Sequence, residues 1–391
     1  MECARLKSFD GVVTYAKVHG LYAENAEECA PLMTTTAYLN RIATAVPEND
    51  VHAAFIEFAG GMLTDPRKQN VFGRMVERAG IEHRYSCLNA GGALGAESEH
   101  ASSNAYAFYR KGDFPNTAER MKMFERFAPV LLRKTLDRLN VTKEEASEVK
   151  HVLVTSCTGL YAPGLDFEIV DHLGLNPNVE RTMIGFMGCY AAINALKLAR
   201  HIVRSEPDAK VLVVNLELCT LHYQMTQDLA QVLAFLVFAD GCAASLVSAE
   251  PVGVALESFK AVTIPETREL ITWKIRELGF DMMLSGQVPA ELSTALQSAG
   301  GEIAGDKDAI DLWAVHPGGR TILDAAESGL GLGKDALWAS REVLAGFGNM
   351  SSATIMFVLQ RLMARGKSGQ RGCAMSFGPG LTAETMRFTV A

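Results

Sequence analysis

The sequence lacks several features that would place a protein in a class at once. Its eight cysteines are dispersed along 391 residues and form no C-x-x-C pair, which argues against both a zinc site and a disulfide framework. No apolar run is long enough to span a bilayer. The first residues have no continuous apolar core of the kind found in signal peptides. We therefore expect a protein of the reducing cytoplasm, without membrane insertion.

Positive charge is also scarce. Lysine and arginine number 37 against 45 acidic residues, which gives a net charge of −8 and argues against nucleic acid or an anionic membrane as the partner. An anionic ligand would need a local basic cluster. Arg74 and Arg78 lie four apart on a predicted helix over residues 70–80, where they can form a phosphate-binding edge. The alternative is a solvated helix face.

The pattern that is present is typical of a large α/β protein. Hydrophobic residues make up 48% of the chain, and apolar strand-like runs alternate with helical periods. Residues 1–36 have no clear period and are predicted to be an N-terminal extension. Residues 250–253 are predicted to be the boundary between two halves, because the order of predicted strands and helices repeats after them. We therefore predict one half over residues 37–249 and a second over residues 250–391.

The central motif surrounds Cys157. The run over residues 152–154 is typical of a buried strand, and a helix is predicted to begin after Pro163. A cysteine between a buried strand and a helix lies near unsatisfied helix N–H groups, which favour thiolate over thiol. The pattern therefore predicts a nucleophile at Cys157. The alternative is a small hydrophobic residue of the core.

Two further residues are placed in a similar way. His316 ends a predicted strand before a Pro-Gly-Gly turn, and Asn349 lies in a glycine-containing turn that opens a helix. An imidazole beside the thiol of Cys157 would hold it as thiolate. Together His316 and Asn349 could donate two hydrogen bonds to one oxygen and so stabilise a thioester enolate. This set predicts decarboxylative Claisen condensation, although turn chemistry and helix capping remain the alternative for each residue alone.

Four motifs, in this order, resemble the type III polyketide synthases, the chalcone synthase-like family of the thiolase superfamily: TSCTGLYAPGLD, WAVHPGGRTIL, GFGNMSSAT and SFGPGLTAET. The resemblance covers residues 37–391. It implies a five-layered αβαβα thiolase fold made of two similar halves, and a homodimer. It also implies an acyl-CoA starter loaded on Cys157, malonyl-CoA as extender, and no bound metal, redox cofactor or carrier protein.

The same resemblance implies roles for pocket residues. Arg74 and Arg78 would bind CoA, although Val71 stands where the family often has a lysine. Tyr223 and Phe280 would be aromatic gatekeepers, and Trp273 stands where plant chalcone synthases have a glycine, so we expect a smaller or redirected cavity and no chalcone product. Ordinary core packing is the alternative for Tyr223 and Trp273. Motif residues that would also line the substrate site are Gly318, Phe377, Gly378 and Pro379.

The starter, the number of extensions and the ring closure stay open, and the glycine-rich loop predicted over residues 88–116 is expected to help decide them. We expect cyclisation to a pyrone, a resorcinol or a related phenolic product. The nearest alternative is a ketoacyl synthase III-like enzyme of fatty acid synthesis. A biosynthetic thiolase would need a second catalytic cysteine, but Cys373 fits a buried strand. A non-catalytic acyl-CoA-binding protein is the alternative from a different class.

Overall fold

The structure is a computed structural model that describes residues 35–89, 108–110 and 112–391. The predicted extension over residues 1–36 lies almost wholly outside the described residues, as does most of the loop predicted over residues 88–116. Among the described residues, no helix combines the length and the apolar character that a membrane span requires.

The strands fall into one large sheet and two short hairpin-like pairs. In chain order they are β1 Tyr38–Ala45, β2 Asn49–Asp50, β3 Tyr85–Ser86, β4 Val149–Ser156, β5 Glu180–Gly185, β6 Lys210–Leu218, β7 Asp240–Ser248, β8 Val254–Thr263, β9 Ile271–Arg276, β10 Gly279–Leu284, β11 Leu312–Val315, β12 Arg371–Gly378 and β13 Thr382–Val390.

The large sheet has the order β11-β12-β13-β8-β1-β7-β6-β4-β5. One half of it consists of β1, β7, β6, β4 and β5, and the other consists of β11, β12, β13 and β8. The two half-sheets join through a short antiparallel pairing in which Tyr38 lies opposite Ala255 and Leu39 opposite Val254. The joint therefore holds only the ends of β1 and β8 together, and the packing of helices must supply most of the contact between the halves.

The helices of the described residues flank these half-sheets. In chain order they are α1 His52–Met62, α2 Pro66–Arg78, α3 Thr117–Leu139, α4 Lys143–Glu148, α5 Leu165–Leu173, α6 Ala191–Ser205, α7 Leu229–Val237, α8 Val288–Ile303, α9 Arg320–Leu330, α10 Trp338–Phe347 and α11 Thr354–Arg365.

Strand alternation divides the buried side chains into layers. In β4, Leu153 belongs to the central core, whereas Val152 and Val154 belong to the core on the opposite face, because successive side chains of a strand point to opposite faces. Helices α6 and α11 fill the central layer between the half-sheets. Helix α3 covers the outer face of the first half, and α8 and α9 cover that of the second. The result is the predicted five-layered αβαβα arrangement.

Local signals explain where the helices of the first half begin. Asn116 and Glu119 form a capping box at the start of α3, and the capping box predicted from Thr142 and Glu145 is confirmed at α4. Each box satisfies two N–H groups that the first turn of a helix leaves free. Helix α3 runs through Pro129 as a single element.

Several strands were missed in the sequence. The pattern over residues 180–206 indicates only a helix, yet β5 precedes it, and β8, β9 and β10 lie in a stretch without a clear period. β5 is at the edge of the sheet and most of its side chains are exposed. An edge strand needs no continuous apolar run, so the strongest sequence signal for a buried strand is absent there.

Close packing in β12 generates a stability prediction. A Cβ atom added at Gly372 would overlap the ring of Phe388, which is 1% exposed and cannot leave the central core freely. We expect Gly372→Ala to lower the free energy of unfolding by about 2 kcal/mol. Gly333→Ala is the control, because a Cβ at that position meets no atom within 4 Å. Urea unfolding of both variants tests the packing, and an equal effect in the two would contradict it.

Candidate active site

One largely apolar cavity brings the candidate catalytic residues together. Cys157, Cys189, His316 and Asn349 all line it. These residues come from both halves of the chain, since the cysteines follow β4 and β5 and the other two follow β11 and α10. The cavity therefore lies where the strand and helix ends of the two halves meet. We call it the catalytic cavity.

Cys189 occupies the start of a buried helix. It lies in a 3₁₀ turn, Gly188–Tyr190, that continues directly into α6 in the central layer. Gly188 has a φ of +74°, and a Cβ there would overlap Pro379, so only glycine fits this turn. A helix N-terminus favours a negative charge at that end. Sequence reasoning missed Cys189, because its segment was interpreted only as a buried helix of small residues.

The thiol of Cys189 contacts polar groups of the second half. Its Sγ lies 3.8 Å from Oγ of Ser351. Burial raises the pKa of the Cys189 thiol to about 12, while hydrogen bonds with Ser351 and with the amide of Asn349 oppose that rise. The thiol is therefore protonated in the resting site, and it already contacts groups that would stabilise its anion.

Cys157 is placed differently. It is 2% exposed, and its Sγ accepts the Gly188 N–H at 3.0 Å. Burial raises the pKa of its thiol well above the ordinary value, and the nearby carboxyl of Glu217 raises it further. The prediction that this site favours a thiolate is therefore wrong. The N–H that reaches the sulfur also belongs to Gly188 and not to α5, the helix after Pro163, which begins at Leu165.

His316 follows β11 and is completely buried. Its backbone N–H donates to the carbonyl of Met375 at 2.8 Å, whereas neither ring nitrogen has a hydrogen-bond partner in the part of the chain that the structure describes. Burial lowers the pKa of the imidazole to about 3, so the ring is neutral. Since neither ring nitrogen is engaged by the described residues, a ring nitrogen is free to bind substrate.

The amide of Asn349 is held rigidly. Its Oδ1 accepts from the Ser351 N–H at 2.9 Å and from Oγ1 of Thr354 at 3.3 Å, and its Nδ2 donates to the carbonyl of Gly318 at 3.3 Å. These contacts fix which side of the amide carries the donors. Asn349 follows helix α10 and not a strand, so its similarity to Cys157 and His316 in the sequence was only partial.

The cavity walls include most of the pocket residues predicted from the motifs. Trp273 lines the cavity, and its indole Nε1 donates to the carbonyl of Cys157 at 2.6 Å. The remaining predicted wall residues are Gly318, Phe377, Gly378 and Pro379.

The two predicted gatekeepers lie elsewhere. Tyr223 lines a neighbouring cavity. Phe280 is 2% exposed and stacks on the ring of His222 at 4.2 Å, which holds it behind the wall. Phe238 and Met282 are large side chains that line the catalytic cavity and that the sequence analysis did not single out.

A surface groove extends the site outward. It has a volume of about 650 Å³ and reaches Gly318, which it shares with the catalytic cavity. Arg78 lines this groove, whereas Arg74 is exposed on the same helix but is not among its lining residues. A second arginine of the groove, Arg320, was missed and follows the Pro-Gly-Gly turn. Its Nη1 donates to the Arg78 carbonyl at 3.3 Å, and its Nε lies 3.6 Å from Oδ2 of Asp324, which also lines the groove.

A buried carboxyl group supports the turn behind the cavity. Glu217 in β6 accepts from the Cys157 N–H at 2.9 Å, from Oγ1 of Thr158 at 2.8 Å and from Oγ of Ser352 at 2.5 Å. It has no cationic partner within ion-pair distance among the described residues. Burial raises its pKa to about 7, although these hydrogen bonds oppose the rise. Glu217 therefore titrates near neutral pH.

The raised pKa of Glu217 predicts a pH-dependent stability. Since the folded protein keeps this proton to a higher pH than the unfolded chain, the free energy of unfolding falls as the pH rises from about 4.5 to about 7. Between about pH 5 and about pH 8 we expect Glu217→Gln to remove roughly 2–3 kcal/mol of that fall. Urea unfolding at both pH values is the measurement. Glu48→Gln is the control, because the Glu48 side chain is 90% exposed, and this variant should keep the wild-type pH dependence of the free energy of unfolding. If Glu217→Gln also kept the wild-type pH dependence, the carboxyl of Glu217 would already be ionised at about pH 5 and the prediction would be wrong.

Comparison with known proteins gives a consistent result across the chain. The family model for chalcone and stilbene synthases matches twice, with its N-terminal domain over residues 34–251 and its C-terminal domain over residues 255–390. The alpha-pyrone synthesis polyketide synthase-like protein Pks18 of Mycobacterium tuberculosis is 31% identical over 374 residues, which cover 91% of this chain and 92% of that protein. The 1,3,6,8-tetrahydroxynaphthalene synthase of Streptomyces coelicolor is 30% identical over 360 residues, with 89% and 91% covered.

Solved structures agree with these relatives. The crystal structure of PKS-I from the brown alga Ectocarpus siliculosus has a TM-score of 0.79 and 28% identity, and covers 92% of this chain and 99% of its own. The tetrahydroxynaphthalene synthase structure, a bacterial type III polyketide synthase, has a TM-score of 0.79 and 27% identity, with 90% and 99% covered. The alternatives of a ketoacyl synthase III-like enzyme and of a non-catalytic protein gain no support. The chain belongs to the chalcone and stilbene synthase family, and it is a type III polyketide synthase with the thiolase fold.

Proposed function

We propose that this synthase loads an acyl-CoA starter on Cys189 and extends it with malonyl-CoA. One observation carries the proposal. Cys189 is the cysteine of the catalytic cavity whose thiol contacts Ser351 and Asn349 at the start of a buried helix. Cys157, to which sequence reasoning assigned the nucleophile, is 2% exposed and its sulfur already accepts the Gly188 N–H, whereas the carboxyl of Glu217 raises the thiol pKa of both cysteines and does not distinguish them.

The neutral state of His316 supports two steps. In loading, the Cys189 sulfur attacks the starter carbonyl, the thiol proton passes to a ring nitrogen of His316, and the proton then leaves with the CoA sulfur. In extension, a neutral imidazole N–H and the Asn349 amide donate to the carbonyl oxygen of malonyl-CoA. Carbon dioxide leaves, and the enolate carbon attacks the thioester on Cys189, which releases the chain as a ketoacyl-CoA.

The groove supports a CoA thioester as the form of the substrate. Arg78 and Arg320 lie on its edge, and guanidinium groups pair well with phosphates. Arg74 is exposed on the same helix and would add to this local positive charge. We therefore place the nucleotide end of CoA at these arginines and the thioester end past Gly318, and we assign no bound metal or redox cofactor to the reaction.

Two further proposals concern assembly and setting. Leu160, Met183 and Met187 are exposed apolar residues near the turn that carries Cys189, and Met183 belongs to the edge strand β5. An exposed apolar edge next to the active site supports a homodimer through this face.

The cysteines of the described residues are free thiols, which supports a cytoplasmic setting. The two halves would meet at about residue 250.

The product class follows from the relatives and the cavity. Pks18 is named for alpha-pyrone synthesis and the Streptomyces relative for tetrahydroxynaphthalene synthesis. The indole of Trp273 occupies part of the catalytic cavity and is fixed by its hydrogen bond to Cys157. We propose cyclisation to a pyrone, a resorcinol or a related phenolic compound, and not to a chalcone.

The two cysteines give a direct test of the nucleophile. We expect Cys189→Ala to abolish both transfer of a radiolabelled starter to the protein and product formation, because no sulfur remains to accept the acyl group. Cys157→Ala keeps the fold and should still load the starter. Intact-protein mass spectrometry after incubation with hexanoyl-CoA reports the acyl adduct. An adduct that persists in Cys189→Ala and disappears in Cys157→Ala would return the role to Cys157.

The donors to the enolate oxygen predict a second result. We expect Asn349→Ala to slow release of carbon dioxide from malonyl-CoA by about 100-fold, because one of two donors to the developing oxyanion is lost. Loading of the starter on Cys189 should change far less, since it does not form that enolate. His316→Ala should impair both steps, because His316 also takes the thiol proton. Equal losses in loading and decarboxylation for Asn349→Ala would contradict this division of roles.

A further inference from the structure

A second cavity adjoins the catalytic one. It shares the wall residues Cys219, Phe235 and Phe238 with the catalytic cavity, and we call it the side cavity. Its volume of about 60 Å³ is space for a few waters or for the end of a small ligand, and not for a long chain. Its walls are mostly apolar, but they include Arg84 and Tyr223.

Arg84 is a buried cation whose hydrogen bonds go to neutral groups. It is 1% exposed. Its Nε donates to Nδ1 of His52 at 2.9 Å, and its Nη1 donates to the carbonyls of Phe235 and Phe238 at 3.0 and 2.7 Å. Burial lowers the pKa of His52 to about 4, so that ring is neutral. Within the described part of the chain, Nη2 has no hydrogen-bond partner. A buried guanidinium with an unused N–H donor lowers the stability of the folded protein unless a ligand or a water molecule accepts a hydrogen bond from that donor.

Tyr223 supplies a second unused donor to the same cavity. Its side chain is 3% exposed, and its hydroxyl has no hydrogen-bond partner among the residues described. Both side chains pack on the ring of Phe55: the guanidinium carbon of Arg84 lies 4.4 Å from that ring's centroid, and the ring of Tyr223 lies 5.2 Å from it. Both side chains also line the side cavity, and a carboxylate is a ligand that can accept from a guanidinium and a hydroxyl.

We propose that the side cavity binds a carboxylate at the far end of a short acyl starter, with Arg84 and Tyr223 as its donors. The inference rests on the proposed function for the identity of the ligand, because the shared walls place the side cavity next to the site where the starter is held. The carboxylate would pair with the guanidinium of Arg84, whose charge already interacts with the carboxyl groups of Asp50 and Asp240. The methylene chain between the carboxylate and the thioester would lie along Phe235 and Phe238. The preferred starters are then monothioesters of dicarboxylic acids longer than malonate, such as adipate, and are distinct from the malonyl extender.

The test compares adipoyl-CoA with hexanoyl-CoA, which have the same chain length and differ in the terminal carboxylate. Binding is measured by calorimetry on the Cys189→Ala protein, so that no reaction occurs. We expect adipoyl-CoA to bind about tenfold more tightly, and Tyr223→Phe to reduce that preference by about fivefold or more, because one hydrogen bond to a charged group is lost. Hexanoyl-CoA should bind both proteins alike.

Tyr161→Phe is the matched control. It removes another buried hydroxyl without a hydrogen-bond partner among the described residues, but Tyr161 does not line the side cavity, so the preference for adipoyl-CoA should persist. The inference would be wrong if adipoyl-CoA and hexanoyl-CoA bound equally, or if Tyr223→Phe left the preference for adipoyl-CoA unchanged. The side cavity would then hold only water. Condensation of hexanoyl-CoA with malonyl-CoA by the wild-type enzyme separately tests the proposed function, so the two failures can be told apart.

Discussion

Two backbone hydrogen bonds hold the catalytic cavity together. The N–H of Asn349 donates to the carbonyl of Val237 at 2.7 Å, and the N–H of Ala239 donates to the carbonyl of Asn349 at 2.8 Å. These bonds join two segments. One is the turn of the second half that contains Asn349, and the other is the segment of the first half that contains Phe238. The half-sheets themselves join only at the ends of β1 and β8. The position of Asn349 relative to Cys189 therefore depends on this bridge and on the central helices.

Burial determines the resting protonation states of the site. It raises the pKa of both cysteine thiols and of Glu217, and it lowers the pKa of His316. In each case the neutral form is favoured, because a charged group loses its hydration inside the protein. A dry cavity with a neutral imidazole and a rigid amide suits an enolate, since the donors need no rearrangement when charge develops on the substrate oxygen.

The sequence predicts the architecture better than the details of the site. The apolar run of β4 and the capping box of α4 depend on local chemistry, so the sequence predicts them directly. His316 and Asn349 stand in distinctive turns. Cys189 could not be distinguished in this way, because the turn that presents it follows an exposed edge strand and its partners come from the other half of the chain. Side-chain direction at Phe280 and Met282 likewise depends on how the β9–β10 hairpin packs against His222, which no local pattern encodes.

The contact between Gly188 and Pro379 also bears on how the enzyme is made. Pro379 closes the space above the turn that presents Cys189, and it follows Gly188 by 379 − 188 = 191 residues. During synthesis the first half leaves the ribosome well before this proline exists. A nascent chain thus carries Cys189 before it carries Pro379, so the space above this turn is closed only after β12 has been added.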